Sequence, residues 1–273
     1  MIEPTMSEES TENGAQLTPE QAIANLQSSD LSLRYYAAWW LGKFRVSQPE
    51  VVNALITALA DEDDTTELGG YPLRRNAARA LGKLGNPQAI PGLITCLECS
   101  DFYVREAAAQ SLGTLNAQAA VPTLIKMLDG GVAKAVQVPG RPHLIQPYEA
   151  VLEALGAIGA TKAISLIQPF LEHSVPRVQC SAARAMYQLT QDSQYGEFLV
   201  TMMQNSDVKL RRVILGDLGA IGYMAAAEAI AHAQVENSFK LMALKGLLEY
   251  QLFQESELSD QAVQVMNLMD SLL

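Results

Sequence analysis

The amino-acid sequence predicts an all-α solenoid of about six to seven stacked helical hairpins. Three observations carry this reading. First, one segment recurs: LRYYAAWWLG (33–42), LRRNAARALG (73–82), VREAAAQSLG (104–113), PYEAVLEALG (147–156), RVQCSAARAMY (177–187) and LRRVILGDLG (210–219), with a weaker copy, KLMALKGLLEY (240–250). Second, the aligned residues Leu41, Leu81, Leu112, Leu155, Met186, Leu218 and Leu248 fall about 31 residues apart, with two insertions of roughly 9 and 12 residues. Third, no segment alternates apolar and polar residues at period two over a useful length, so strands are excluded.

Each unit reads as two helices. The first carries small residues at its centre (Ala37 and Ala38, Ala77 and Ala78, Ala108 and Ala109, Ala182 and Ala183), which let neighbouring helices approach closely. The second opens near a proline (Pro49, Pro91, Pro122), tolerated in a first turn because its missing N–H has no partner there. Gly85 and Gly159 stand where a first helix needs a left-handed residue to end. Asp30, Asp101 and Asp207 lie four residues before Arg34, Arg105 and Arg211, as N-caps, with Ser174 and Asn237 taking that place in two further units. The recurring arginine therefore reads as structural.

Departures from this pattern are where function is sought. The insertions are DEDDTTELGGYP (61–72) and roughly GGVAKAVQVPGRPHLIQP (130–147). Long connections in a compact array tend to be functional or disordered, and the prolines of the second favour function there. In the units that follow them, Gly70 and Leu144 replace the cap. Arg74 thus lacks its local acid, and Tyr148 replaces the arginine altogether. The second insertion also holds Arg141 and His143 among three prolines. One and five residues past the arginine, most units carry polar side chains such as Arg75, Glu106, Glu149 and Arg79, positions that read as solvent-facing. The first unit instead carries Tyr35 and Trp39, with Trp40 beside them. Either residues 17–29 form a helix that covers this aromatic patch, or the patch meets a partner.

Composition narrows the classes. The chain has 273 residues, 49% hydrophobic and 18% charged, which is enough apolar material for a core. Its net charge of −11 argues against a nucleic-acid partner, which needs a basic stripe. The acids concentrate in residues 1–16, 61–67 and 253–273, and the repeats are close to neutral. Residues 1–16 read as a disordered acidic tail and 17–273 as one repeat domain. No apolar run reaches a membrane span, no signal peptide opens the chain, and three cysteines do not make a disulfide scaffold, so a cytoplasmic protein is expected. Cys96 and Cys99 form a lone C-x-x-C without the further ligands a zinc site wants. Phosphate-binding loops, dinucleotide fingerprints, nucleophile elbows and zinc-protease pairs do not occur. No metal and no catalytic cofactor are expected. The residues by themselves describe a binding scaffold. The C-terminal segment SELSDQAVQVMNLMDSLL is amphipathic and either caps the array or grips a partner.

The repeats VREAAAQSLG and LRRNAARALGKLG resemble the HEAT-like repeat of phycobilisome lyases, and the more specific segments GRPHLIQPYEAVLEALGAIGA and LRYYAAWWLGKFRV resemble the E subunit of the cyanobacterial E/F-type phycobilin lyases. The resemblance spans about residues 17–250. It implies one half of a heterodimer with an F-type lyase subunit. That heterodimer attaches phycocyanobilin to a cysteine of apo-α-phycocyanin, by adding the thiol across the ethylidene group of ring A. Phycocyanobilin would be bound as substrate. Its propionates suit arginine, here Arg74, Arg75 and Arg141, with Tyr148 also in the bilin site. His143, Tyr148 and Glu149 are the catalytic candidates, and Tyr35, Trp39 and Trp40 the candidates for the partner interface. The alternatives are a non-enzymatic HEAT-repeat scaffold or chaperone for phycobilisome assembly or degradation, and a sister lyase or lyase-isomerase for another bilin or subunit.

Overall fold

The computed structural model describes residues 17–254 and 258–273; the acidic stretch 1–16, read above as a tail, lies outside the described residues. A short helix α1 (Pro19–Asn25) opens the array. Three hairpins follow: α2 (Leu31–Lys43) with α3 (Pro49–Ala58), α4 (Pro72–Leu84) with α5 (Ile90–Cys96), and α6 (Phe102–Thr114) with α7 (Val121–Met127). The second insertion contributes a single turn, α8 (Gly131–Lys134). Four more hairpins complete the chain: α9 (Tyr148–Ala157) with α10 (Ile164–Ile167), α11 (Pro176–Thr190) with α12 (Ser193–Asn205), α13 (Val208–Ile221) with α14 (Ala227–Ala231), and α15 (Asn237–Gln254) with α16 (Asp260–Asp270). Among the described residues the fold is the all-α solenoid that the repeats predict, with seven hairpins.

The Leu-Gly mark is the point of contact between units. A Cβ placed on Gly42 would lie 2.8 Å from the Cα of Ala80 on the next first helix. At Gly113 it would lie 3.0 Å from the Cα of Ala154, and at Gly156 2.6 Å from that of Ala185. Gly82 meets Ser111 in the same way, and the Ser111 hydroxyl donates to Ala78 O at 2.8 Å. Successive first helices therefore touch backbone to backbone. Beneath them the leucines (Leu41, Leu81, Leu112, Leu155) are fully buried.

Capping follows the expected pattern in three units and departs from it in the others. Asp30, Asp101 and Asp207 each accept backbone N–H groups of the helix that they open. Ser174 does not cap: α11 begins at Pro176, so Val175 takes the N-cap position and has no side chain that can accept. Asn237 sits inside α15 and donates from Nδ2 to Leu272 O instead. Gly85 ends α4 with φ 71°, as the sequence requires.

The recurring arginines are structural, and the reason is now visible. Each reaches back to carbonyls that the preceding helix leaves open at its C-terminal end. Arg34 Nε donates to Leu26 O at 3.1 Å, Arg105 Nη1 to Cys99 O at 2.7 Å, and Arg211 Nε to Met203 O at 3.0 Å.

The apolar interior has two clusters that meet at α11. Ala182, Ala185 and Met186 join the first, while Cys180 and Ala183 join the second. At the N-terminal end, α1 plugs the first cluster with Ala22 and Leu26. At the C-terminal end, α16 packs on α15 with Ala262 and Val265 buried, so this segment closes the array. Among the described residues no helix is long and apolar enough to cross a membrane.

Gly113→Val tests the close approach. Two added methyls and a Cβ must enter a gap already at contact, a strain of about 1–3 kcal/mol. The melting temperature should fall by roughly 2–10 °C in calorimetry. An unchanged melting point would refute the reading.

Candidate functional site

The second insertion is a small hairpin laid over the first helices. Its tip, Val-Pro-Gly-Arg (138–141), has Pro139 second and Gly140 third with φ 72°, the chemistry of a type II turn. Arg141 N donates to Val138 O at 3.0 Å to close it. Val138 N then donates to His143 O, and Ile145 N to Val136 O, each at 3.0 Å, around the single antiparallel bridge Gln137–Leu144.

Two side chains pin this hairpin to the repeat body. Arg105, besides satisfying the end of the preceding helix, donates from Nη2 to Ile145 O at 2.9 Å and from Nε to Gln146 Oε1 at 3.0 Å. His173 is buried; its Nε2 donates to Ala135 O at 2.9 Å, while Nδ1 accepts Val175 N–H at 3.0 Å. A carbonyl can only accept and an amide only donate, so this histidine is the neutral Nε2–H tautomer.

The first insertion has its own anchor, which also replaces the missing cap. Buried Asp64 accepts Leu73 N–H at 2.8 Å, in the first turn of α4, where the sequence offers only Gly70. Asp101, besides capping α6, accepts Tyr71 N–H at 2.8 Å. The two insertions then come together: Arg141 Nη2 lies 3.5 Å from Leu68 O.

Two adjoining hollows result. The larger, about 820 Å³, lies between the second insertion, α6, α9 and the start of α11. The smaller, about 470 Å³, lies between the two insertions and receives Arg75, Arg105 and Arg141. Phe102, Tyr103 and His143 form the wall they share. The His143 ring stacks on Phe102 with centroids 4.1 Å apart and planes 14° apart, and meets Tyr103 edge-on at 5.8 Å. His143 Nδ1 lies 2.8 Å from Leu144 O, and since a carbonyl only accepts, Nδ1 carries a proton.

The predicted site residues divide cleanly. Arg75, Arg141, His143, Tyr148 and Glu149 all line these hollows. Arg75 Nε is buried with no hydrogen-bond partner, and its guanidinium sits 5.9 Å from the Tyr103 ring centroid. Tyr148 is 2% exposed, packs on Phe170 at 5.4 Å, and burial pushes its phenol pKa up. Arg74 stands elsewhere. It donates to Asp61 O at 2.5 Å, lies 3.9 Å from Glu62 and covers the Tyr71 ring at 4.1 Å, so its own insertion supplies the acid its slot lacks.

In the first unit Tyr35 and Trp39 are exposed, Trp39 at 43%, beside exposed Tyr36. Helix α1 covers the core end and leaves this patch open. Trp40 is buried at 7% against Phe44, facing the core one residue round the helix, so it presents no surface to a partner. The positions read as solvent-facing are half-buried at Arg75, Glu106, Glu149 and Glu153, because the hairpin and neighbouring first helices close over them.

Glu106, Phe102 and Tyr103 also line the larger hollow, though the sequence pattern does not single them out. Tyr103 was within reach of sequence: it occupies a slot that holds Ser32 and Gln146 in other units. Glu106 follows its repeat and gives no such sign. The cysteines stay outside the site. Burial pushes Cys96 up to about 11 and Cys180 up to about 12, which leaves them thiols.

The electrostatics of the larger hollow are set by burial. Glu106 and Glu149 both have raised pKa values, first through desolvation and then through repulsion from Glu153. Arg75 and Arg79 oppose the rise at Glu106, and Arg177 opposes it at Glu149. A carboxyl raised on folding lends stability below the ordinary glutamate range and loses it as pH climbs through its folded value. Glu149→Gln should therefore melt above the parent chain near neutrality, with the gap closing towards about pH 4. Melting curves against pH check this; a variant that melts lower at every pH would refute it.

The HEAT repeats family matches residues 71–137, and the PBS lyase HEAT-like repeat matches residues 33–61 and 147–173. Phycocyanobilin lyase subunit alpha of Nostoc sp. (strain PCC 7120) is 75% identical over 100% of this chain and 100% of its own length. The protein of the same name from Microchaete diplosiphon is 60% identical over 97% and 95%. Bilin biosynthesis protein PecE of the same Nostoc strain is 45% identical over 94% and 96%. A chain in the solved complex of CpcE and CpcF of phycocyanin lyase from Nostoc sp. PCC7120 superposes with a TM-score of 0.90 at 75% identity, covering 99% of this chain and 100% of that one. On identity held over its whole length, this chain belongs to the phycocyanobilin lyase subunit alpha family.

Proposed function

We propose that this chain is one subunit of a heterodimeric bilin lyase. With an F-type partner it binds phycocyanobilin and presents it to a cysteine of apo-α-phycocyanin, forming a thioether. The observation that carries the site is the pair of adjoining hollows, where an aromatic wall, half-buried carboxyls and an arginine with an unsatisfied Nε converge. A bilin has the matching chemistry: flat conjugated rings, pyrrole N–H donors and two propionates.

The residues that line the hollows then take roles. Arg75 and Arg141 hold propionate, since guanidinium pairs carboxylate in a fork. Phe102, Tyr103 and His143 give the faces that rings stack on. Tyr148 closes the floor, and Glu149 accepts pyrrole N–H. Holding the extended tetrapyrrole in one geometry against the incoming thiol supplies much of the rate. Exposed Tyr35 and Trp39 dock the F-type partner. The reaction belongs in the cytoplasm, where the acceptor thiol stays reduced.

Reconstitution tests the reading. The chain, its F-type partner, phycocyanobilin and apo-α-phycocyanin are combined, and each is omitted in turn, with covalent bilin followed by fluorescence in a denaturing gel. An adduct with native absorbance that needs both subunits is expected. Arg75→Ala should lower bilin retention by roughly 10- to 100-fold, the worth of a charged hydrogen bond. Trp39→Ala should weaken the heterodimer and leave the fold intact. Adduct formation without this chain, or full retention in Arg75→Ala, would defeat the corresponding part of the reading.

A further inference from the structure

The larger hollow holds a second carboxyl to which the function above gives no part. Glu106 and Glu149 stand one residue past the arginine slot on α6 and α9, adjacent first helices, and both line the 820 Å³ hollow. Neither is a helix cap. Among the described residues Glu149 has no hydrogen bond or ion pair from its carboxyl, and the ion pair of Glu106 with Arg79 is loose, at 3.8 Å.

The charged groups around them are accounted for. Arg75 and Arg79 approach Glu106 from α4, and His143 approaches it from the insertion. Arg177, from α11, approaches Glu149, yet it is already engaged by Asp217 of α13 and by Glu153. Arg184 pairs with the same two acids, at 2.8 Å from Asp217 and 3.5 Å from Glu153. Tyr103, Tyr148, Glu172 and His173 complete the titratable lining. The cations on the α11 side are thus engaged by other partners, Arg75 and Arg79 lie on the α4 side of Glu106, and the charge of Glu106 adds to the rise at Glu149 in a hollow with aromatic walls.

We propose that Glu106 and Glu149 jointly hold one proton that is lent to a pyrrolic nitrogen of the bilin during thiol addition, which makes Glu106 a catalytic residue of this chain. The inference rests on the hollow being the bilin site. Two like carboxyls in a poorly solvated space do not both ionise readily, and the proton they keep belongs to the pair. Burial raises both, in keeping with that.

The step balances. The acceptor sulfur bonds to the exocyclic ethylidene carbon, and the π electrons move toward the protonated ring nitrogens. The proton given up by the thiol is then taken up by the adjacent ring carbon, and the borrowed proton returns to the pair. Nothing leaves, and nothing is oxidised or reduced.

The test uses the full heterodimer with phycocyanobilin and apo-α-phycocyanin, comparing the parent with Glu106→Gln, Glu149→Gln and the double variant. Two readouts are taken across about pH 5 to 9: the absorbance of bilin held before transfer, and the single-turnover rate. The parent should hold protonated bilin, absorbing at longer wavelength, at neutral pH. The double variant should hold the neutral form, and its transfer rate per bilin bound should fall roughly a hundredfold. In the parent, the rate divided by the thiolate fraction of the acceptor should fall as pH rises through the titration of the pair. This measurement does not depend on any variant folding.

A double variant whose bilin spectrum and pH profile match the parent overturns the inference alone. A parent that retains no bilin, or a Val136→Trp variant that fills the hollow yet retains bilin fully, overturns the site reading and the inference with it.

Discussion

Successive first helices touch through glycine and alanine, and that contact governs the rest of the molecule. With no side chain between Gly113 and Ala154, or between Gly156 and Ala185, the backbones of α6, α9 and α11 lie in a tight row. A residue at a fixed place on each helix then stands next to its counterpart on the following one. This is how Arg75, Glu106 and Glu149 come together, although about 30 to 40 residues separate each from the next in sequence.

The row alone makes a ridge; the insertions wall it into two open hollows. Both insertions depart from the repeat, and both are held by polar groups with nowhere else to go. Asp64 satisfies a helix start that has lost its cap. Arg105 satisfies a helix end and then the hairpin. His173 has both ring nitrogens occupied, so the hairpin base is fixed together with the tautomer. A buried polar group left unpaired is costly, so these bonds hold the loops in one arrangement. Arg75 and Arg184 depart from that economy: the Nε of each is buried without a hydrogen-bond partner.

Charge is handled differently on the two sides of the hollow. Toward α11 and α13, Arg177, Arg184, Glu153 and Asp217 neutralise one another in a closed network. Toward the insertions, arginines are in excess in the smaller hollow and carboxyls in the larger one. A ligand with acidic ends and N–H donors along its middle finds both kinds of partner a short distance apart. The network behind also keeps Arg177 from fully quenching Glu149, so burial still dominates the pKa of that carboxyl.

The sequence by itself determined the repeat, its length, the hairpin in each unit, most caps and the place of both insertions. These follow from local chemistry: small residues, prolines and cap residues recur at fixed spacing, and each acts within a few residues. It also marked Tyr148, His143 and Arg141, because they break the pattern. The tertiary structure alone decided which anomalies line the two hollows. Arg74 and Arg75 are neighbours in sequence, yet a helix turns by a large angle per residue, so one faces its own acidic loop and the other the hollow. Trp39 and Trp40 part in the same way, one outward and one into the core. Glu106 obeys its repeat and is silent in sequence. Its role comes from what the second insertion brings over it, a contact that no local spacing encodes.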